Sequence, residues 1–206
     1  VASAMTDFTF MEGKNAKLFL NSPNAIEGNE IGKCDTSSAE FQSEKTGLVD
    51  GIGSEEEVIG EIRALVCMLP ANNEDDASYD ECLDDLNRVC EGVEGIYGDT
   101  ALLATLVSDE NVFFETKREY AKEMVTGFIR LNGMTVGAVA NRSEIYGEDG
   151  KVAEKLGEEL SVRGCEKAAD FINFCDAFSI PVLSLTNVKG FKATKCAEKG
   201  MAKAVA

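Results

Sequence analysis

The 206 residues contain no histidine, no tryptophan and only three prolines. Without histidine, this stretch can build no Ser-His-Asp triad, no Cys-His dyad and no His-ligated metal site. Basic residues are scarce as well. Lys and Arg total 20 against 37 Asp and Glu, a net charge of -17. That imbalance works against non-specific binding to nucleic acid or anionic lipid, both of which need clustered positive charge. No apolar run approaches the roughly 18 residues a membrane-spanning helix needs. Residues Val1 to Met5 have neither the basic nor the apolar region of a signal peptide. No two of the seven cysteines are spaced C-x-x-C, which argues against a zinc ribbon or a thioredoxin-type pair. Neither a G-x-G-x-x-G nor a P-loop is present. What is present is ordinary for a globular chain: 44% hydrophobic and 28% charged residues, with enough length to bury a sizeable core.

The cysteines are Cys34, Cys67, Cys82, Cys90, Cys165, Cys175 and Cys196. Their odd number and apolar neighbours suggest buried, reduced thiols, as in a cytoplasmic protein. Position 1 is not Met, and the tail from Lys199 to Ala206 ends in helix-favouring residues without a cap. An interior piece of a longer protein is therefore expected.

Along the chain, Thr6 to Met11 and Lys17 to Leu20 read as short strands, the second ended by Asn21-Ser22-Pro23-Asn24. Glu27 to Ser43 reads as surface loop or short helix, and Gly47 to Gly53 as a strand loosened by glycine. Ser54-x-x-Glu57 is a capping box. It opens a helix whose stripe is Val58, Ile62, Leu65, Val66 and Leu69, closed by Pro70. Residues 71 to 98 are acidic and Gly-punctuated, which suggests an exposed linker; the spacing of an EF-hand is missing. Asp99 caps a short helix, and Val112 to Glu115 is a strand. Met124 to Leu131 and Met134 to Ala140 flank Asn132-Gly133, the signature of a tight hairpin. Ser143 to Leu160 reads as loop with a marginal helix. Cys165 to Phe178 is a helix with a wide apolar face, and Ile180 to Leu185 a buried strand. Asn187 to Phe191 is a loop, and Lys195 to Ala206 a final amphipathic helix. A loop at a strand's carboxyl end beside a helix start is a common ligand position in α/β folds.

The stretches Glu119 to Gly133, Val136 to Asn141 and Glu166 to Pro181 resemble the second domain of biotin-dependent acyl-CoA carboxyltransferases. Within them the hairpin and the Phe174-Cys175-Asp176-Ala177-Phe178 run are the most specific parts. Met5-Thr6-Asp7-Phe8, Ser22-Pro23-Asn24 and Leu69-Pro70-Ala71-Asn72-Asn73 extend the likeness into the first domain. The resemblance implies an α/β, crotonase-like (ClpP/crotonase) ββα spiral and parts of two tandem domains. Residues 1–75 would be the carboxyl-terminal part of the first domain, 76–98 the acidic linker, and 99–206 the amino-terminal part of the second.

The resemblance further implies carboxyl transfer between carboxybiotin and an acyl-CoA, in the carboxylase or decarboxylase direction, with no metal. Biotin would arrive on a separate carrier protein or domain, the biotin carboxyl carrier protein. A homo-oligomer pairing first with second domains is implied, without nucleic acid, and a membrane decarboxylase subunit in the intact complex is left open. The family stabilises the developing enolate of the thioester and the biotin ureido oxygen with two backbone oxyanion holes, and both are expected to lie outside these residues. No catalytic residue is therefore assigned, and the 206 residues alone are expected to be inactive. Gly190 and Phe191 match the family's Gly-Phe loop beside the biotin pocket, although Lys189 stands where many members carry Pro, and Lys192-Ala193 replaces a frequent Pro-Gly. The simpler alternative is that Gly190 permits a turn and Phe191 packs in the core. Two other functions stay open: a non-catalytic scaffold or degenerate split subunit, and a hydratase or isomerase of the same fold.

Overall fold

The computed structural model describes residues 2–76 and 78–206. They form two compact units, residues 1–65 with Lys117–Tyr120, and residues 66–116 with 121–206.

In the first unit, β1 (Phe10–Glu12) is followed by one turn of helix, α1 (Ala39–Phe41), which continues as a wider π-type turn to Thr46. Then come β2 (Gly51–Gly53) and the start of α2 (Glu55–Met68). β1 and β2 pair in parallel, Met11 opposite Ile52. Met11, Ala39 and Val49 form the buried centre, with Leu18 and Ile52 against it. The expected strand at Lys17–Leu20 is reduced to a single bridge between Lys17 and Ser38. Phe19 and Leu20 are exposed, so no apolar face holds that segment in register. The capping box is in place: Glu57 accepts the Ser54 N–H at 2.7 Å, and Ser54 Oγ accepts the Glu57 N–H at 3.3 Å. The expected apolar stripe of α2 is only partly buried. Leu65 is covered, whereas Ile62 and Val66 are exposed.

The second unit holds the larger core. α3 (Thr100–Val107) is capped by Asp99, which accepts the Leu102 N–H. β3 (Phe113–Thr116), β4 (Met124–Leu131) and β5 (Met134–Asn141) follow as an antiparallel ladder. The β4–β5 turn is Asn132-Gly133, with φ of 52° and 79°, so both turn residues lie in the left-handed region that such a hairpin demands. The charged stretch expected as loop instead folds into strands. β6 (Glu144–Tyr146) and β7 (Val152–Lys155) make a second hairpin, followed by β8 (Glu159–Leu160). These strands are short and mostly exposed, so they carry no apolar alternation to reveal them.

α4 (Val162–Ala177) starts three residues before the expected point, because Ser161 caps it by accepting the Gly164 N–H at 3.0 Å. β9 (Val182–Leu185) joins β5 in parallel and completes the sheet order β3-β4-β5-β9. It was expected to be buried on both faces, yet its residues alternate between exposed and half-buried, as an edge strand's do. β10 (Gly190–Phe191) pairs in parallel with β8, and α5 (Lys195–Val205) closes the chain.

β4 is buried on both faces. Ile129, Val136 and Ala138 pack with Ala104 of α3. On the opposite face Phe128 meets Phe171 and Phe174 of α4, ring centroids 5.0 Å and 6.1 Å away. α4 lies this close because position 137 is glycine: a Cβ there would stand 2.7 Å from Cys175 Sγ. Of the seven thiols, Cys165 and Cys175 are buried, and Cys34, Cys67 and Cys196 are exposed. Burial pushes the Cys175 thiol up to about 12. The expectation of buried cysteines thus holds for the α4 pair. It fails for Cys67, which sits on the exposed side of α2.

Candidate functional site

The loop after β9 lies at the carboxyl end of a parallel strand pair, where an α/β sheet opens to ligands. Three contacts define its path. Asn141, the last residue of β5, turns its carboxamide onto the main chain of one loop residue, Asn187. Its Oδ1 accepts the Asn187 N–H at 2.5 Å, and its Nδ2 donates to the Asn187 carbonyl at 2.5 Å. Next, the Lys189 N–H donates to the Glu158 carbonyl at 2.9 Å, and the Lys189 ammonium pairs with the Glu158 carboxylate. That hydrogen-bonded partner raises the Lys189 pKa above its ordinary value. Finally, Gly190 and Phe191 pair with Glu159 and Leu160, and the Lys192 N–H reaches the Leu160 carbonyl at 2.9 Å.

Gly190 and Phe191, the two residues singled out by sequence, therefore stand together on this loop. Gly190 has φ of 138°, a conformation L side chains rarely adopt, and nothing lies within 4 Å of where its Cβ would be. Glycine is required there by the backbone, and the space beside it is open. Phe191 is 55% exposed, so it does not pack in the core as the simpler alternative had it.

Other functional candidates escaped the sequence reading. Lys192, Lys195, Lys199 and Lys203 are all exposed, and the last three, four residues apart, share one side of α5. They give a local positive face to a chain of net charge -17. The i, i+4 spacing was the signal available; the overall charge obscured it. Asn141 gave no local signal at all, because its partner lies 46 residues away.

In the first unit an open cleft of about 900 Å³ is lined by Glu12, Lys14, Asn15, Ser54, Glu55 and Glu57, among others. Two of its carboxylates are engaged. Glu12 accepts the Asn15 and Lys14 amides at 2.6 Å and 2.9 Å, and Glu57 accepts that of Ser54. These backbone bonds hold both carboxyls below their ordinary range. Among the described residues, no group of three or more Cys, Asp or Glu side chains could hold a metal ion. No helix of the described residues is long and apolar enough to cross a membrane.

A family model described as the carboxyl transferase domain matches residues 2–206. The chain belongs to that family. It is 33% identical over 199 residues to the propionyl-CoA carboxylase beta chain of Cereibacter sphaeroides, covering 91% of this chain and 37% of that one. It is 30% identical to the methylmalonyl-CoA decarboxylase subunit alpha of Propionigenium modestum, with the same coverage. A crystal structure of transcarboxylase 12S with methylmalonyl-coenzyme A and methylmalonic acid bound superposes with a TM-score of 0.80 at 29% identity, over 96% of this chain and 38% of that one. The chain thus spans little more than a third of these relatives' length. The expected fold, a mixed α/β chain of the crotonase type, is borne out by this likeness.

Proposed function

We propose that the complete protein transfers a carboxylate between biotin and an acyl-CoA, and that the loop bearing Gly190 and Phe191 faces the biotin. The observation that carries this is the family match over residues 2–206, shared with relatives named for both a carboxylase and a decarboxylase. The loop's geometry fits a flat bicyclic ligand. Gly190 leaves the main chain open to close approach, and Phe191 offers an exposed apolar ring next to it. Biotin, when bound, supplies the carrier that holds the carboxylate between donor and acceptor. The chain's own part is to present this surface and keep it dry. The lysine face of α5 favours the phosphates of a CoA thioester. The likeness to the family implies that a thioester carbonyl is polarised by main-chain amides outside these residues. A biotin carrier protein and self-association of subunits complete the assembly.

The test is turnover of methylmalonyl-CoA and malonyl-CoA by the complete protein, with and without free biotin. Biotin-dependent loss or transfer of the carboxylate is the expected result. Absence of turnover with every acyl-CoA thioester supplied, in an intact complex that still binds its carrier, would leave a scaffold as the function. Hydration of crotonyl-CoA would point to the hydratase instead.

A further inference from the structure

We propose that Asn141 is the positioning residue of the biotin-facing loop, holding Gly190 and Phe191 at their working place through the main chain of Asn187. This rests on the reading of that loop as the biotin side of the site.

The β5–β9 ladder ends where Ala140 faces Leu185. Beyond that point the two strands no longer exchange main-chain bonds. Asn141 supplies the missing rung from its side chain: one planar carboxamide gives an acceptor and a donor to the N–H and C=O of a single residue, both at 2.5 Å. Of the twenty side chains only Asn and Gln combine a carbonyl oxygen and an NH₂ in this way. Asn141 is 8% exposed, so water is poorly placed to replace either bond. The residue that carries the carboxamide is itself held, because the Thr100 hydroxyl at the start of α3 donates to the Asn141 main-chain carbonyl at 3.1 Å. Only Val188 and Lys189 separate the clamped residue, Asn187, from Gly190. The loop's other ties, the Lys189 contacts with Glu158, the two-residue β8–β10 pairing and the Lys192 amide on Leu160, all run to the β8 segment and not to the sheet. A small drift at such a loop is costly to a site that depends on geometry.

The test compares Asn141→Ala, Asn141→Asp, Asn187→Ala and Phe191→Ala in the complete protein. Asn141→Ala is expected to raise KM for free biotin about tenfold, the cost of about 1.4 kcal/mol, while kcat and KM for the acyl-CoA stay within about twofold. Amide hydrogen exchange over residues 188–192 should quicken by about the same factor, a readout independent of turnover. Asn141→Asp keeps the acceptor and loses the donor, so it should fall between the two and serves where the alanine variant fails to fold. Asn187→Ala keeps the main chain that Asn141 grips, so it should raise biotin KM less than Asn141→Ala does. Unchanged biotin KM in both Asn141 variants, or a parallel fall of every kinetic constant together with the melting temperature, would overturn the positioning role. Should Phe191→Ala also leave biotin KM unchanged, the reading of the loop fails first. Should Phe191→Ala raise it while the Asn141 variants do not, the positioning role fails alone.

Discussion

Two regions of the second unit sit side by side and are built on opposite principles. The layer of α3, sheet and α4 is centred on apolar contact, although Thr126, Thr135 and Lys167 are buried in it as well: Phe128 and Ile129 are fully buried on opposite faces of β4, and Val136, Ala138, Phe171 and Cys175 close around them. The segment from Ser78 to Cys90 buries almost nothing, and Leu83, Leu86 and Val89 are each more than two-thirds exposed. It is nevertheless tied to the same unit through polar groups. The Asp80 N–H meets the Gly133 carbonyl at 2.9 Å, and Thr135 donates its N–H to the Ser78 carbonyl at 3.0 Å. Arg88 forks onto the Leu106 and Ser108 carbonyls at 2.9 Å and 2.7 Å, and Asp84 accepts the Glu110 N–H at 2.8 Å. The core is held by area and shape, which a mutation removes by volume. The segment is held by a few directed bonds, which a mutation removes by chemistry.

The sharpest way to separate the two modes is to empty the core at its centre. Phe128→Ala removes a fully buried ring with two aromatic neighbours and should cost about 3–5 kcal/mol of stability. Denaturant titration of the complete protein reads this as a lower midpoint. A loss below 1 kcal/mol would mean that α4 does not depend on that ring. The corresponding lesion in the polar segment is smaller. Arg88→Met keeps the length of the side chain and deletes the fork, leaving two carbonyls short of a donor; about 1–2 kcal/mol is expected, because the site is partly open to water. Proteolysis should distinguish the variants further. Arg88→Met should open the segment around residues 80–90 alone, whereas Phe128→Ala should expose the whole unit. Equal cleavage patterns would erase the contrast.

The same contrast governs what the sequence could disclose. Asn132-Gly133, the Ser54 capping box and the Asp99 cap are local signals, and each is realised as expected. The wide apolar face from Cys165 to Phe178 announced burial, and Phe171 and Cys175 are buried. Elements without apolar periodicity were missed. β6 and β7 pair through residues such as Glu144 and Lys155, which read as loop. The segment Lys17–Leu20 had strand-like composition but lacks a covered face, so its pairing stops at one bridge. At the candidate site, the sequence placed Gly190 and Phe191 on one loop. It could not place Asn141 against Asn187, a contact that depends on where two strands part. Nor could it show that Phe191 stays exposed.

The smallest effect falls at the edge of the polar region, where charge alone is at stake. The Asp80 carboxylate pairs with the Arg130 guanidinium at 2.5 Å, and Arg130 also donates to the Cys67 carbonyl at 2.7 Å. The hydrogen bond from Arg130 holds the Asp80 carboxyl below its ordinary value of 3.8. A carboxylate whose folded pKa is depressed stabilises the fold above its unfolded value and loses that contribution as pH falls through the folded one. Asp80 is largely exposed, so solvent screens the pair and the effect is slight. Asp80→Asn should therefore lower the denaturation midpoint a little near pH 7, and the gap from the parent protein should close as pH falls through the lowered carboxyl pKa, beneath 3.8. Added salt at neutral pH should narrow the same gap, since the pair is open to counterions. A gap that persists unchanged in acid would show that Asp80 acts through its neutral hydrogen-bonding shape. The polar segment would then be held by geometry, as the core is.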